Sequence, residues 1–443
     1  MKRWMVWAAV LAVSLAVAAP ASAQTWDWKK YSGKTIRYVA TNFQPTKAIE
    51  KQLARFEQET GVKVKIETYP DDPFRQKLRS EFTAGNSTVD VFHTLVAFDA
   101  LQFVGAGWYY PLDEFMKNVP PGYDWNDYDA SVMEMTRAGG KQVGIPLHAE
   151  TQVLMYNKEL FAKAGLAGPP QTFDEATAFA AKIHDPKNKI YGMVNRGKRV
   201  SNSYNLAPVL YGYCGKWQDD KGSITWNTPA GQQAFKVYAE QIGKYGPPGV
   251  LNYHYQETWG LFAQGRAGYF WDSTGTPASL EDPKTSQVKG KVGYAKVPAG
   301  PCGSKPVLLS WGWSIPAQAP NKEAAWYLIV WLSQKAQTAE RAAKDMIFPA
   351  RKSTWEDAGF RQAAGALYPS DFITAFRDSL RVGVPNIANP QVKATSQVRD
   401  LISEVINAAV EDIYAGKDPT ATIRDKAAST EVEANRIRNE DQK

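Results

Sequence analysis

Apolar and polar positions along this chain follow two periods that take turns. Residues 35–41 carry a buried-strand pattern, and residues 46–60 then place Ile49, Leu53 and Phe56 at helical spacing until Gly61 ends the run. Val62, Val64 and Ile66 alternate with Lys63, Lys65 and Glu67, which reads as a half-buried strand. Phe74, Leu78 and Phe82 share one face of a second helix stopped by Gly85, and residues 89–93 supply the next strand. Strand and helix in this order predict an α/β sheet with helices on its faces.

The alternation restarts beyond residue 150. Thr172 and Glu175 have capping-box spacing at the head of a helix running to Ile183, and Thr228-Pro229 opens another with proline at its first position. A helix at 256–264 leads into a strand at 267–272. Val398, Leu401, Ile402, Val405, Ile406, Ala409, Val410 and Ile413 form one stripe, closed by Gly416. No Pro/Ser-rich linker and no repeat separates the halves, so two α/β units joined by more than one crossing are expected.

The first residues set the compartment. Lys2 and Arg3 precede an almost unbroken apolar run at 6–19, and Ala21-Ser22-Ala23 is a small-x-small cleavage site, so residues 1–23 read as a secretory signal peptide. Without a cysteine at that site, lipid anchoring is not expected. The 443 residues suit two domains better than one core. The formal charge of +7, to which the leader's Lys2 and Arg3 contribute two, is spread along the chain without a basic run, which argues against a nucleic-acid partner. Cys214 and Cys302, the two cysteines, can pair in an oxidising compartment, yet a chain this long does not need the bond.

Ligands of open α/β sheets bind beyond the carboxyl ends of the strands. There the chain places Asn42, His93, Glu150, Thr151, Trp271, Asp272, Trp311 and Trp313. Carboxylate, amide and guanidinium groups grip hydroxyls by charge-assisted bonds, and aromatic rings cover C–H faces, so this mixture points to a sugar or polyol. Of the fifteen tryptophans, Trp326 and Trp331 sit in an apolar helical stretch and read as core. The four histidines lack paired ligand spacing, and no nucleophile elbow, phosphate-binding loop or dinucleotide glycine pattern occurs in context. Neither a metal, a cofactor nor a catalytic residue is expected, although Glu150 and Asp272 could in principle form a glycosidase carboxylate pair.

Pro146-Leu147, Val153-Leu154-Met155-Tyr156-Asn157, Phe161 and Lys163 together resemble the signature of the family 1 extracellular solute-binding proteins, the maltose-binding-protein-like receptors of ABC importers. His148 stands where that signature usually has a small residue. Residues 54–64, Asp90-Val91-Phe92, the segments 107–112 and 262–268, Trp313-Ser314-Ile315-Pro316 and 324–332 resemble other blocks of the same family. Tyr191-Gly192 with Arg196-Gly197-Lys198, Gly246-Pro247-Pro248-Gly249 and Trp271-Asp272-Ser273-Thr274 are similar to the sorbitol/mannitol-type polyol receptors within it.

The resemblance implies a two-lobed periplasmic-binding-protein fold, each lobe a mixed sheet flanked by helices. The first lobe would hold 24–148 and 297–333, the second 149–296 and 334–443, with hinge crossings near 148, 296 and 333. Cys214 and Cys302 would then lie in different lobes, where a bond would restrain opening unless it lay beside the hinge. Glu150, Arg196, Asp272 and Trp313 would contact the ligand, with Asn42, His93, Thr151, Trp271, Trp311 and Arg351 as further candidates. The implied protein is a periplasmic monomer that carries a small neutral carbohydrate or sugar alcohol to a membrane permease. The alternatives are an exported glycoside hydrolase and a receptor for a phosphorylated polyol that uses Arg196, Lys198 and Arg199.

Overall fold

The computed structural model describes residues 26–275 and 277–440, so the expected leader lies outside the described residues. The strands run β1 Thr35–Thr41, β2 Lys63–Tyr69, β3 Val91–Thr94, β4 Arg137–Ala138, β5 Lys141–Gln142, β6 Ile145–Pro146, β7 Glu150–Asn157, β8 Tyr191–Met193, β9 Ala267–Ser273, β10 Val292–Ala295, β11 Val307–Leu309, β12 Gly312–Ser314 and β13 Val384–Pro385. They form two main sheets. The first has the order β2-β1-β3-β12-β6, and the second β13-β11-β7-β9-β8 with β10 also on β7.

In the first sheet β1 runs parallel to β2 and β3, and β12 returns antiparallel with Trp313 opposite His93. Both faces of β1 are covered, which is why its sequence is apolar rather than alternating. Ile36, Tyr38 and Ala40 pack with Ile49, Leu53 and Phe56, while Val39 faces Phe74, Leu78 and Phe82. The helix Gln44–Thr60 begins two residues before the sequence pattern does. It ends at Gly61, whose φ of 72° is left-handed and whose N–H donates to the Glu57 carbonyl at 2.8 Å.

In the second sheet the long strand β7 pairs antiparallel with β9, from Gln152 opposite Ser273 to Tyr156 opposite Tyr269. Thr172 Oγ accepts from the Glu175 N–H at 3.1 Å and opens the helix Phe173–Ile183. The Glu175 carboxylate reaches back to the Gln171 N–H, one residue beyond the partner a capping box would give it. The stripe from Val398 to Val410 lies on the helix Thr395–Tyr414 and packs into the core of this lobe.

Two boundaries differ from the expectation. β11, placed by resemblance in the first lobe, pairs with β7 and β13 of the second sheet, because Val307-Leu308-Leu309 buries its side chains there. The helix Lys335–Asp345, placed in the second lobe, is tied to the helix Gln44–Thr60 of the first. Arg55 donates to Glu340 at 2.7 Å and Arg341 to Gln52 at 2.6 Å. The chain therefore crosses between sheets at 147–149, at 310–311 and at about 346–351.

The three crossings lie side by side. Leu147 N–H donates to the Trp311 carbonyl at 2.8 Å, Ser310 Oγ to the His148 carbonyl at 2.6 Å, and Ala149 N–H to the Phe348 carbonyl at 3.1 Å. Cys214 and Cys302 are bonded, with their Cα atoms 5.4 Å apart. Since β11 belongs to the second sheet, the disulfide lies within the second lobe. The conflict with lobe opening disappears. Among the described residues no helix is long and apolar enough to cross a membrane.

Candidate functional site

The crossing strands bring side chains from both sheets to one place. Glu150 opens β7, and its Oε1 accepts from Ser273 Oγ at 2.6 Å. His148 Nε2 stands 3.6 Å from the other carboxylate oxygen. Burial raises the Glu150 pKa, but His148, Ser273 and the charge of Arg196 outweigh it, so the group lies below the ordinary carboxylate value. Glu150 is therefore an ionised acceptor at neutral pH.

Arg196 leaves the end of β8 and meets Asp272 on β9. Nε donates to Oδ2 at 2.8 Å, and NH2 donates to Oδ1. The guanidinium lies 4.6 Å over the Tyr204 ring and 5.5 Å from that of Tyr255. Burial alone would lower the Arg196 pKa; the adjacent Asp272 reverses this and holds it above the usual value. Tyr204 is buried, its phenol is held well above its ordinary pKa by burial and by the charges of Glu150 and Asp272, and its hydroxyl has no protein partner. It stays a neutral hydrogen-bond donor or acceptor.

The first lobe answers with aromatics. Phe43 follows β1 and packs 5.4 Å from Trp311 and 6.0 Å from His148. Trp311, half-buried at the second crossing, continues to Arg75 at 5.6 Å, and Arg75 lies 5.6 Å from Phe98. A row of contacts thus runs from Glu150 through His148, Phe43, Trp311 and Arg75 to Phe98. At its Glu150 end lies a cavity of about 220 Å³ lined by Phe43, Gln44, His148, Glu150, Thr274 and Phe348. That is below the roughly 300–1,000 Å³ of sites for drug-sized ligands and suits a small solute. A larger hollow of about 770 Å³, lined by Thr172, Lys296 and Asp371 among others, lies on the second lobe alone, where closure of the lobes would not act on its contents.

The sequence candidates separate into three groups. Glu150, Arg196 and Asp272 lie near one another, with Asp272 as the partner of Arg196 and the Arg196 charge felt at Glu150, and Trp311 is joined to Glu150 through Phe43 and His148. Asn42 is exposed at the end of β1. The remaining five are enclosed. Trp313 has no exposed surface, donates Nε1 to Tyr38 at 2.9 Å and belongs to the first-lobe core. Trp271 is equally buried in the second-lobe core, with Nε1 on the Asn205 carbonyl at 3.0 Å. His93 contacts Tyr38, and burial, with His148 secondary, lowers its pKa to about 3. Thr151 is buried in the strand with its hydroxyl unpartnered. Arg351 is a rivet at the third crossing, bound to the Ser333 and Asp124 carbonyls and to Asp127.

Lys198 and Arg199, considered for a phosphate, are exposed, and Arg199 is paired with Asp400 at 2.7 Å. Sequence reasoning missed Phe98, Tyr204 and Arg399, all of which lie in helices, and noted Phe43 beside Asn42 at the end of the first strand without counting it among the site residues. The signal that could have found Arg399 is a long cation beside Val398, at the head of an otherwise apolar stripe.

The likeness to known proteins spans the chain. The family described as bacterial extracellular solute-binding protein matches residues 40–339. The erythritol/L-threitol-binding protein of Mycolicibacterium smegmatis is 26% identical over 431 residues, covering 93% of this chain and 88% of the relative. An ABC transporter solute-binding protein from Agrobacterium radiobacter, solved with ribitol, superimposes with a TM-score of 0.77 at 24% identity, over 92% of this chain and 99% of that one. A second, from Agrobacterium vitis with bound D-mannitol, gives a TM-score of 0.73 at 26% identity, over 91% of this chain and 99% of the other.

Proposed function

The chain belongs to the bacterial extracellular solute-binding proteins, and from that premise we propose that it captures a neutral sugar alcohol or small carbohydrate between its lobes and delivers it to an ABC permease. The observation that supports this reading is the cavity where Phe43 of one lobe and Glu150 of the other line one space beside His148, from which we read two complementary walls. One lobe offers the Arg196–Asp272 pair and Glu150; the other offers Trp311 and Phe43. Polar groups of this kind grip hydroxyls, and the rings cover the ligand's C–H face. No bond need break, so we read a receptor rather than a glycosidase.

Contacts from both walls favour the closed form only through their differential affinity for it. The three adjacent crossings form the hinge about which the lobes close. The closed form is what the permease reads. A dissociation constant near micromolar, about −8 kcal/mol, suits a receptor that must also release its cargo. We read the mature protein as a periplasmic monomer.

A thermal-shift screen of the mature protein tests this. Ligand at 100 times its dissociation constant stabilises the fold by about 2.7 kcal/mol, so one or more of erythritol, ribitol and mannitol raises the melting temperature. Cleavage of a glycoside without any such shift would reverse the reading.

A further inference from the structure

The row of contacts that starts at Glu150 ends in a second hollow between the lobes. It measures about 550 Å³ and is walled by Arg75, Leu95 and Phe98 of the first lobe and by Val200 and Arg399 of the second. Two guanidinium groups, one from each lobe, share the Phe98 ring there: Arg75 at 5.6 Å from its centroid and Arg399 at 5.2 Å. Their surroundings differ. Arg75 is paired with Asp99. Arg399, in the first turns of the helix Thr395–Tyr414, donates Nε to Ser203 Oγ at 3.0 Å, and among the described residues it has no carboxylate partner. Arg79 and Lys393 add two more cations to the wall.

This hollow and the polar wall of the cleft adjoin. Ser203 carries Arg399, and the next residue, Tyr204, carries Arg196. The Arg196 charge is met by Asp272, whereas Arg399 has no carboxylate partner among the described residues. A half-buried cation without a carboxylate partner is unfavourable by itself. Burial, with Arg196 and Arg75 nearby, lowers its pKa to about 10, which leaves it charged at neutral pH. Its terminal nitrogens present a planar fork that matches a carboxylate or a phosphate.

We propose that Arg399 anchors an anionic end group on a polyol ligand, so that this receptor takes acid-ended polyols in preference to the plain sugar alcohol. The inference rests on the polyol reading of the cleft and adds the charge of the ligand. A carboxylate and a phosphate share the chemistry that Arg399 recognises.

Calorimetric titration of the wild-type protein with mannitol, mannonate and mannitol 1-phosphate decides it. At least one acid binds about tenfold or more tighter than mannitol, as a charge-assisted bond to a half-buried cation requires, and its advantage shrinks with added salt. Whichever acid binds tighter identifies the group. In Arg399→Gln the ratio of acid to alcohol affinity falls towards one, whereas Arg399→Lys keeps part of it. If mannitol binds as tightly as both acids, this inference fails and the polyol reading stands. If none of the three binds, this inference fails, and the polyol reading fails with it only if erythritol and ribitol do not bind either.

Discussion

Arg196 and Asp272 meet edge to edge, Nε donating to Oδ2 at 2.8 Å and NH2 to Oδ1. One follows β8 and the other lies on β9, so their parallel pairing puts both at the same end of the second sheet. Asp272 is almost wholly buried, while the guanidinium keeps a small exposed fraction. The carboxylate thereby fixes the fork that the cleft presents.

Removing one partner leaves the other charged and buried. Asp272→Ala is expected to destabilise the fold by about 3–5 kcal/mol, measured by chemical denaturation. The double variant Arg196→Met with Asp272→Leu is less destabilised than Asp272→Ala. Equal losses would show that the pair does not share its burial.

Trp311 and Trp313 separate binding from stability. Trp311→Ala lowers ligand affinity roughly tenfold or more, since it removes an aromatic wall, with a small effect on folding. Trp313→Ala costs about 3–5 kcal/mol of stability, as loss of a core indole does. Calorimetry and denaturation on the two variants check this, and a reversed pattern contradicts the placement of the two rings.

Much of this was legible in the chain. Glu150, Arg196 and Asp272 are polar residues at or beyond strand ends, where an α/β sheet exposes them. Trp313 misled because β12 is buried on both faces, so alternation along the strand does not say which ring meets the cleft. β11 misled for another reason. Three apolar residues do not specify a partner, and the choice of β7 over the first sheet is made by non-local burial. Arg399 lies in a helix whose stripe reads as core, and Phe98 lies in the helix Val96–Gly105, which the sequence pattern did not single out.

His93 makes stability fall in acid. Its imidazole is held neutral in the folded state to about pH 3, whereas in the unfolded chain it titrates near 6.5. Between those values the unfolded state binds a proton that the folded state does not, so stability is lost as pH falls, by up to about 1.4 kcal/mol per unit. His93→Gln flattens that slope in denaturation curves taken from pH 6 down to pH 4. An unchanged slope would contradict a buried neutral imidazole.

The disulfide closes a chain separation of 88 residues within one lobe. Replacing Cys214 and Cys302 by serine costs about 2–4 kcal/mol and leaves ligand affinity unaltered, as paired denaturation and calorimetry report. A large change in affinity would mean that the bond restrains the hinge.

In the proposed function the interlobe cleft holds a small polyol through Arg196 and Glu150. Titration calorimetry of the mature protein with erythritol, ribitol and mannitol, repeated on Arg196→Ala and Glu150→Gln, addresses it directly. Saturable one-to-one binding of at least one of these is expected, with a dissociation constant on the order of micromolar, weakened in both variants while thermal unfolding remains cooperative. Flat titrations with all three, or binding that neither substitution weakens, would contradict it.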